Sequence, residues 1–160
     1  MSTKDKIYEL PQLLEKVKEW KAEGKRIVFT NGCFDIMHLG HVDYLEKARA
    51  EGDILIVGLN SDISTRNIKG PKRPIVDENS RSRTLAAMEF VDAVVLFDED
   101  TPYNLIKSIL PDVLIKGKDY QIENIVGADI VIQNNGNIIT IDLVEGYSTT
   151  KIFDKIRKIK

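Results

Sequence analysis

The stretch FTNGCFDIMHLGH, residues 29–41, holds both histidines of the chain, His38 and His41, three positions apart with Gly40 between them. A helix starting near His38 would put both imidazoles on one face of its first turn. That turn also offers unpaired backbone N–H groups and the positive end of the helix dipole, which attract anions. Two imidazole donors beside such a helix end make a clamp for a phosphate. Gly32 closes the preceding apolar run and lets backbone approach a ligand closely. Gly40 removes a side chain where a flat group, such as a purine ring, could pack.

Other readings of these residues are weaker. A chance pair on an exposed helix would not coincide with a helix start and flanking glycines. A zinc site built from Cys33, His38 and His41 would have three ligands, and no further His or Cys exists to close a structural site. The G-x-G-x-x-G dinucleotide fingerprint is absent after the first strand. Cys33 has no identified orienting partner and reads as a small packing residue. As the sole cysteine it forms no intrachain disulfide, which fits a reducing compartment.

The elements that must carry the motif follow from periodicity. Residues 11–23 have apolar positions at Leu13, Leu14, Val17 and Trp20, with Pro11 at the start and Gly24 as a stop, and predict a helix. Residues 26–30 predict a buried strand, 41–51 a helix, and 53–59 a second strand. Helix and strand then alternate: helix 80–90, strand 92–97, helix 101–110, strand 112–116. Late strands are expected at 126–132 and 137–143, and a closing helix at 148–159. Residues 63–79 combine a glycine, two prolines and basic residues with weak periodicity, and read as a long loop of functional character. Short apolar runs alternating with helices predict an α/β fold, a Rossmann-like doubly wound parallel sheet in a single domain. Ligands bind such sheets outside the carboxyl ends of the strands, which is where the histidine segment begins.

The 160 residues suit one domain, read as a helical extension over 1–25 and a catalytic domain over 26–160. Lys and Arg total 23 against 25 Asp and Glu, a net charge of -2. A nucleic-acid or membrane-surface protein would usually carry a basic excess. The N-terminal residues lack the apolar core of a signal peptide, and residues 54–59 are too few to span a bilayer. A cytoplasmic location is expected.

The pattern Gly32-x-Phe34-Asp35-x-x-His38-x-Gly40-His41 resembles the H-x-G-H signature of the cytidylyltransferase-like nucleotidyltransferases. A second signature of that family is a Ser/Thr-rich turn opening a late helix, and Gly146-Tyr147-Ser148-Thr149-Thr150 is similar to it. Alone, that turn is also what any capped helix shows. Lys69 resembles the family's mobile-loop lysine, Arg81 the arginine that opens the next helix, and Lys116-Gly117-Lys118-Asp119-Tyr120 its K-G-x-D-Y segment. Arg66 and Lys72 read equally well as solvated loop charges. Across residues 30–152 the segments most resemble the branch that adenylylates a heptose 1-phosphate. The glycerol-3-phosphate cytidylyltransferase branch typically carries an arginine where this chain has Leu143.

The resemblance implies an H-x-G-H nucleotidyltransferase fold, ATP and a sugar 1-phosphate as substrates, Mg²⁺ as the companion of ATP, and no dedicated protein metal ligand. It implies catalytic roles for His38, His41, Lys69 and Arg81. Asn31, Gly32, Cys33, Phe34, Gly40, Lys116, Asp119 and residues Gly146 to Thr150 would bind the nucleotide, and Asp35, Asn60 and Arg73 the acceptor. A homodimer is expected from the habit of relatives. From a different class, a non-catalytic module that senses ATP or a nucleotide sugar would need the nucleotide contacts but not donors on both sides of the α-phosphate.

Overall fold

The computed structural model describes residues 1–159; Lys160, the last residue of the expected domain, lies outside them. Five strands form one parallel sheet: β1 (Ile27–Gly32), β2 (Ile54–Asn60), β3 (Ala93–Phe97), β4 (Val113–Gly117) and β5 (Asn137–Ile141). Their spatial order is β3-β2-β1-β4-β5. The order reverses between β1 and β4, where Phe29 pairs with Leu114, so the switch point lies beside the histidine segment.

Helices cover both faces. On one, α1 (Leu10–Ala22), α5 (Tyr103–Ile109) and α6 (Ala128–Gln133) bury Leu13, Val17, Leu105, Ile106, Ile109 and Val131 against Phe29, Ile56 and Leu114. On the other, α2 (Leu39–Arg49) and α4 (Glu78–Ala86) bury Leu45, Ala48 and Leu85 against Val28, Leu55, Val57 and Ile115. Fully buried branched side chains such as Leu13 lose about 2–5 kcal/mol on truncation to alanine. The first residues join the same body: the Tyr8 N–H donates to the Val94 carbonyl at 2.9 Å. At the sheet end away from the histidines, Asp112 and Asp92 accept from the Ile27 and Leu55 N–H groups, each at 2.7 Å. These carboxylates fix where β1 and β2 begin.

Two expectations are corrected. The first half of the expected loop is helix α3 (Asp62–Lys69), capped by the Ser61 side chain, which accepts from the Ser64 N–H. Its outward Ile63 and Ile68 remain exposed, so no apolar stripe betrays it in the sequence. The expected strand at 126–132 is α6 instead, entered through Gly127 at φ 84°. Parallel β4 and β5 need a crossover between them, and this β-branched segment is recruited as the crossover helix. The closing helix α7 (Thr149–Lys158) forms as expected, but buries none of its residues.

Candidate functional site

The extended backbone of His38 makes it the residue just before α2, and its carbonyl accepts from the His41 N–H at 3.0 Å. The two imidazoles therefore stack rather than merely share a face, with ring centroids 3.9 Å apart and planes 25° from parallel. Phe34, at φ 46°, lays its ring 5.2 Å from that of His41. Gly32 admits this fold-back, since a Cβ there would sit 2.9 Å from the Phe34 ring. Gly40 has a similar duty: a Cβ would lie 2.9 Å from His38 Cε1. Gly40 nonetheless lines the cavity at the strand ends.

Neither imidazole has a hydrogen-bond partner among the described residues, and both Nδ1 atoms are buried. Burial pulls the His41 pKa down to about 4, with the neighbouring His38 as a second cause, and burial lowers His38 as well. Both rings are neutral at pH 7. They can donate or accept hydrogen bonds but bring no charge.

One cavity of about 600 Å³ runs along the carboxyl ends of the strands. It gathers Asn31, Gly32, Cys33, Phe34, His38, Gly40 and His41 from the first motif, with Lys69, Lys116 and Asp119. Tyr147, Ser148, Thr149 and Thr150 close it from the far end of the chain. Gly146, at φ 87°, makes the turn before them and lines a smaller adjoining hollow. The Ser148 hydroxyl caps α7 by accepting from the Lys151 N–H, and the Thr149 hydroxyl donates to the Ile36 carbonyl at 3.2 Å. That bond joins the two sequence motifs directly.

Four expected site residues are engaged by the protein itself. Arg81, expected among the catalytic residues, is placed as an internal strut. It does not line the cavity, its side chain is fully buried, and it donates to the carbonyls of Val76, Cys33 and Asn60 and to Asp62. Asp35 and Arg73 touch the cavity but engage each other at 2.8 Å. Asp35 also accepts from the Ile75 and Val76 N–H groups. Burial pushes the Asp35 carboxyl up, but these backbone bonds and Arg73 outweigh it and hold the pKa low. The pair is a clasp holding residues 73–76 to the first motif, and the Arg73 guanidinium also lies 4.8 Å from the Phe153 ring of α7. Asn60, the third expected acceptor ligand, lines the cavity while its amide donates to the Ser64 hydroxyl.

The cavity also has walls that no motif announces. Tyr44 lies one turn after His41, and its hydroxyl shares a 2.8 Å hydrogen bond with Thr30; the i, i+3 spacing from His41 was the available signal. Residues 100–102 and 124–126 complete the opposite wall. Among the described residues, no cluster of three or more His, Cys, Asp or Glu side chains is placed to hold a metal ion. No helix among them is long and apolar enough to cross a membrane.

Comparison with known proteins agrees with this geometry. A cytidylyltransferase-like family model matches residues 29–155. The bifunctional protein HldE of Azorhizobium caulinodans is 55% identical over 141 residues, covering 88% of this chain and 29% of that protein. Its counterpart in Methylobacillus flagellatus is 53% identical over 152 residues, 95% of this chain and 31% of the relative. The chain thus spans about three-tenths of the length of these curated relatives. Among solved structures, a lipopolysaccharide core biosynthesis protein from Thermoplasma volcanium superposes with a TM-score of 0.61 and 29% identity, over 78% of this chain and all of that one. A pantoate-beta-alanine ligase from Francisella tularensis shares the fold, with a TM-score of 0.57 and 16% identity over 96% of this chain and 78% of the ligase.

Proposed function

The chain belongs to the cytidylyltransferase-like family, and on that premise we propose that it transfers AMP from ATP to a heptose 1-phosphate, releasing pyrophosphate. The observation that carries this reading is the stacked, neutral histidine pair at the start of α2, facing the Ser148–Thr150 turn across one cavity. The HldE relatives and the lipopolysaccharide protein support a role in supplying activated heptose for a surface glycan.

In the reaction an oxygen of the sugar phosphate forms a bond to the α-phosphorus of ATP. The bond from that phosphorus to the oxygen bridging to the β-phosphate breaks in line, and its electron pair leaves with pyrophosphate. No covalent enzyme intermediate is required. The protein positions the two substrates and stabilises charge as it develops. His38 and His41 each present one N–H to the α-phosphate and the bridging oxygen. Being neutral already, they act as fixed donors and need no protonation step. The free N–H groups at the start of α7 and the hydroxyls of Ser148 to Thr150 hold the outer phosphates, and Lys69 adds charge from the rim. Asp100 and Asp119 line the cavity as separate carboxylates, which suits an Mg²⁺ ion that arrives with ATP, held mainly by phosphates and water. When bound, that ion supplies charge neutralisation.

Pyrophosphate release tests the reading directly, crossing ATP and CTP with heptose 1-phosphate and glycerol 3-phosphate. Release with ATP and the heptose phosphate alone is expected. Release with CTP and glycerol 3-phosphate would retain the mechanism and replace the substrates. ATP binding with no release from any pair would favour a non-catalytic module.

A further inference from the structure

The cavity has two sides, and the motifs explain only one. His38, His41 and Tyr44 belong to α2, on the sheet face that packs against Val28 and Ile115. Side chains alternate along a strand. In β4, Leu114 lies in the core under α1, α5 and α6, and Ile115 in the core on the α2 side. Lys116 therefore returns to the face of Leu114, opposite the histidines. In β1 the same alternation puts Asn31 on the face of Phe29. The β1–β4 pairing runs through Phe29 and Leu114 and the Thr30 hydroxyl donates to the Ile115 carbonyl at 3.1 Å, so Asn31 and Lys116 come next along these adjacent strands at the switch point.

Neither side chain has a hydrogen-bond partner among the described residues, although Lys116 lies over an aromatic ring. Lys116 is half-buried yet has no hydrogen bond or ion pair among the described residues, and its ammonium lies 5.4 Å from the Tyr120 ring. The Asn31 Oδ1 is buried with no partner. The same cavity is lined by the uncharged Thr101, Pro102, Ile125 and Val126 and by the carboxylates of Asp100 and Asp119, of which Asp119 acts on Lys116. A desolvated ammonium beside an orphaned amide is costly unless a ligand completes it. The ligand chemistry is an anion attached to a hydroxyl-bearing body.

The geometry points to Lys116 and Asn31 as the acceptor subsite, Lys116 binding the phosphate of the sugar 1-phosphate and Asn31 one of its hydroxyls. This rests on the function proposed above and moves both residues from the nucleotide to the second substrate. The two phosphates then meet over the ends of β1 and β4, one from each face of the sheet. Lys116 supplies a positive charge that offsets the repulsion between the two anions. Burial draws its pKa down to about 8, against the opposing pull of Asp119 and Cys33. The other titratable groups facing it are Tyr120 and, across the cavity, Asp100.

The test compares wild type, Lys116→Met, Lys116→Arg and Asn31→Ala. Calorimetry follows inorganic phosphate binding to protein saturated with a non-hydrolysable ATP analogue, which reads the subsite whatever the sugar is. Steady-state turnover with heptose 1-phosphate then gives the KM of each substrate. Lys116→Met is expected to weaken phosphate binding and raise the acceptor KM by about 10-fold or more, with analogue affinity unchanged. Asn31→Ala should raise the acceptor KM and leave phosphate binding alone. Wild-type acceptor KM should climb above pH 8, and Lys116→Arg should remove that climb. Weakened analogue binding with unaltered phosphate binding in Lys116→Met would overturn the assignment. Wild type that binds phosphate through Lys116 but does not turn over the heptose phosphate would sink the proposed function and keep the subsite.

Discussion

At the β1–α2 end of the cavity the chemistry-bearing side chains are enclosed. His38 and His41 are stacked and partly buried, and Phe34, Gly32 and Gly40 fit around them with no spare space. At the rim the opposite holds. Lys69 and Thr150 are exposed, α3 has only Ser64 and Thr65 buried, and α7 buries no residue. The enclosed end can tune protonation, because burial acts on pKa. The rim can supply charge and close on a ligand, because little packing resists its movement. Buried polar links connect the two ends: Arg81, the Asp35–Arg73 clasp, and the Thr149 bond to Ile36.

The sharpest way to break that contrast is Arg81→Met. It would remove the donor to the carbonyls of Val76 and Cys33, leave the Asn60 carbonyl with only the Thr65 hydroxyl, and free the Asp62 carboxylate. A loss of about 3 kcal/mol is expected, discounted because Asp62 is partly solvated. Urea unfolding measures it; a loss of activity at full stability would return Arg81 to a direct role on phosphate.

His41→Ala probes the enclosed end alone. Turnover should fall about 10²-fold, the scale of a lost transition-state donor, while the melting temperature changes little. Pyrophosphate release at the wild-type rate would remove His41 from the chemistry. Lys69→Ala probes the rim, with turnover expected to fall about 10-fold and unfolding unchanged. An unaltered rate would mean that the end of α3 does not reach the triphosphate.

The smallest effect is on pH. Both histidine pKa values are lowered by folding, so the unfolded chain binds more protons than the native one between about pH 6.5 and about pH 4. Stability is highest above pH 6.5 and declines as pH falls through that window. The Asp35 carboxylate adds a further loss lower down, beneath its ordinary titration range. In His41→Ala the decline between pH 6.5 and 4 should flatten, as read by thermal melts across the range. A decline equal to that of wild type would mean that His41 is not held neutral by its surroundings.

The alternation of β1, α2 and β2, the cap at Ser148 and the histidine pair at a helix start were legible because each is local: apolar period, glycine position and residue type sit within a dozen residues. Helix α3 was not legible, since Ser61 caps a segment with no apolar face, and α6 was not, since its β-branched residues favour a strand until the crossover demands a helix. Residue type also named Arg81, Asp35 and Arg73 as ligands. It could not say that their partners are carbonyls, N–H groups and each other, brought together from segments roughly 20 to 48 positions apart in sequence. What the sequence alone determined is the class of chemistry, because two imidazoles, a helix start and a Ser-Thr-Thr turn are properties of residues and their spacing. Which cations remain free to meet a phosphate was decided only by the tertiary structure, because a charge buried among distant backbone groups is spent before any substrate arrives.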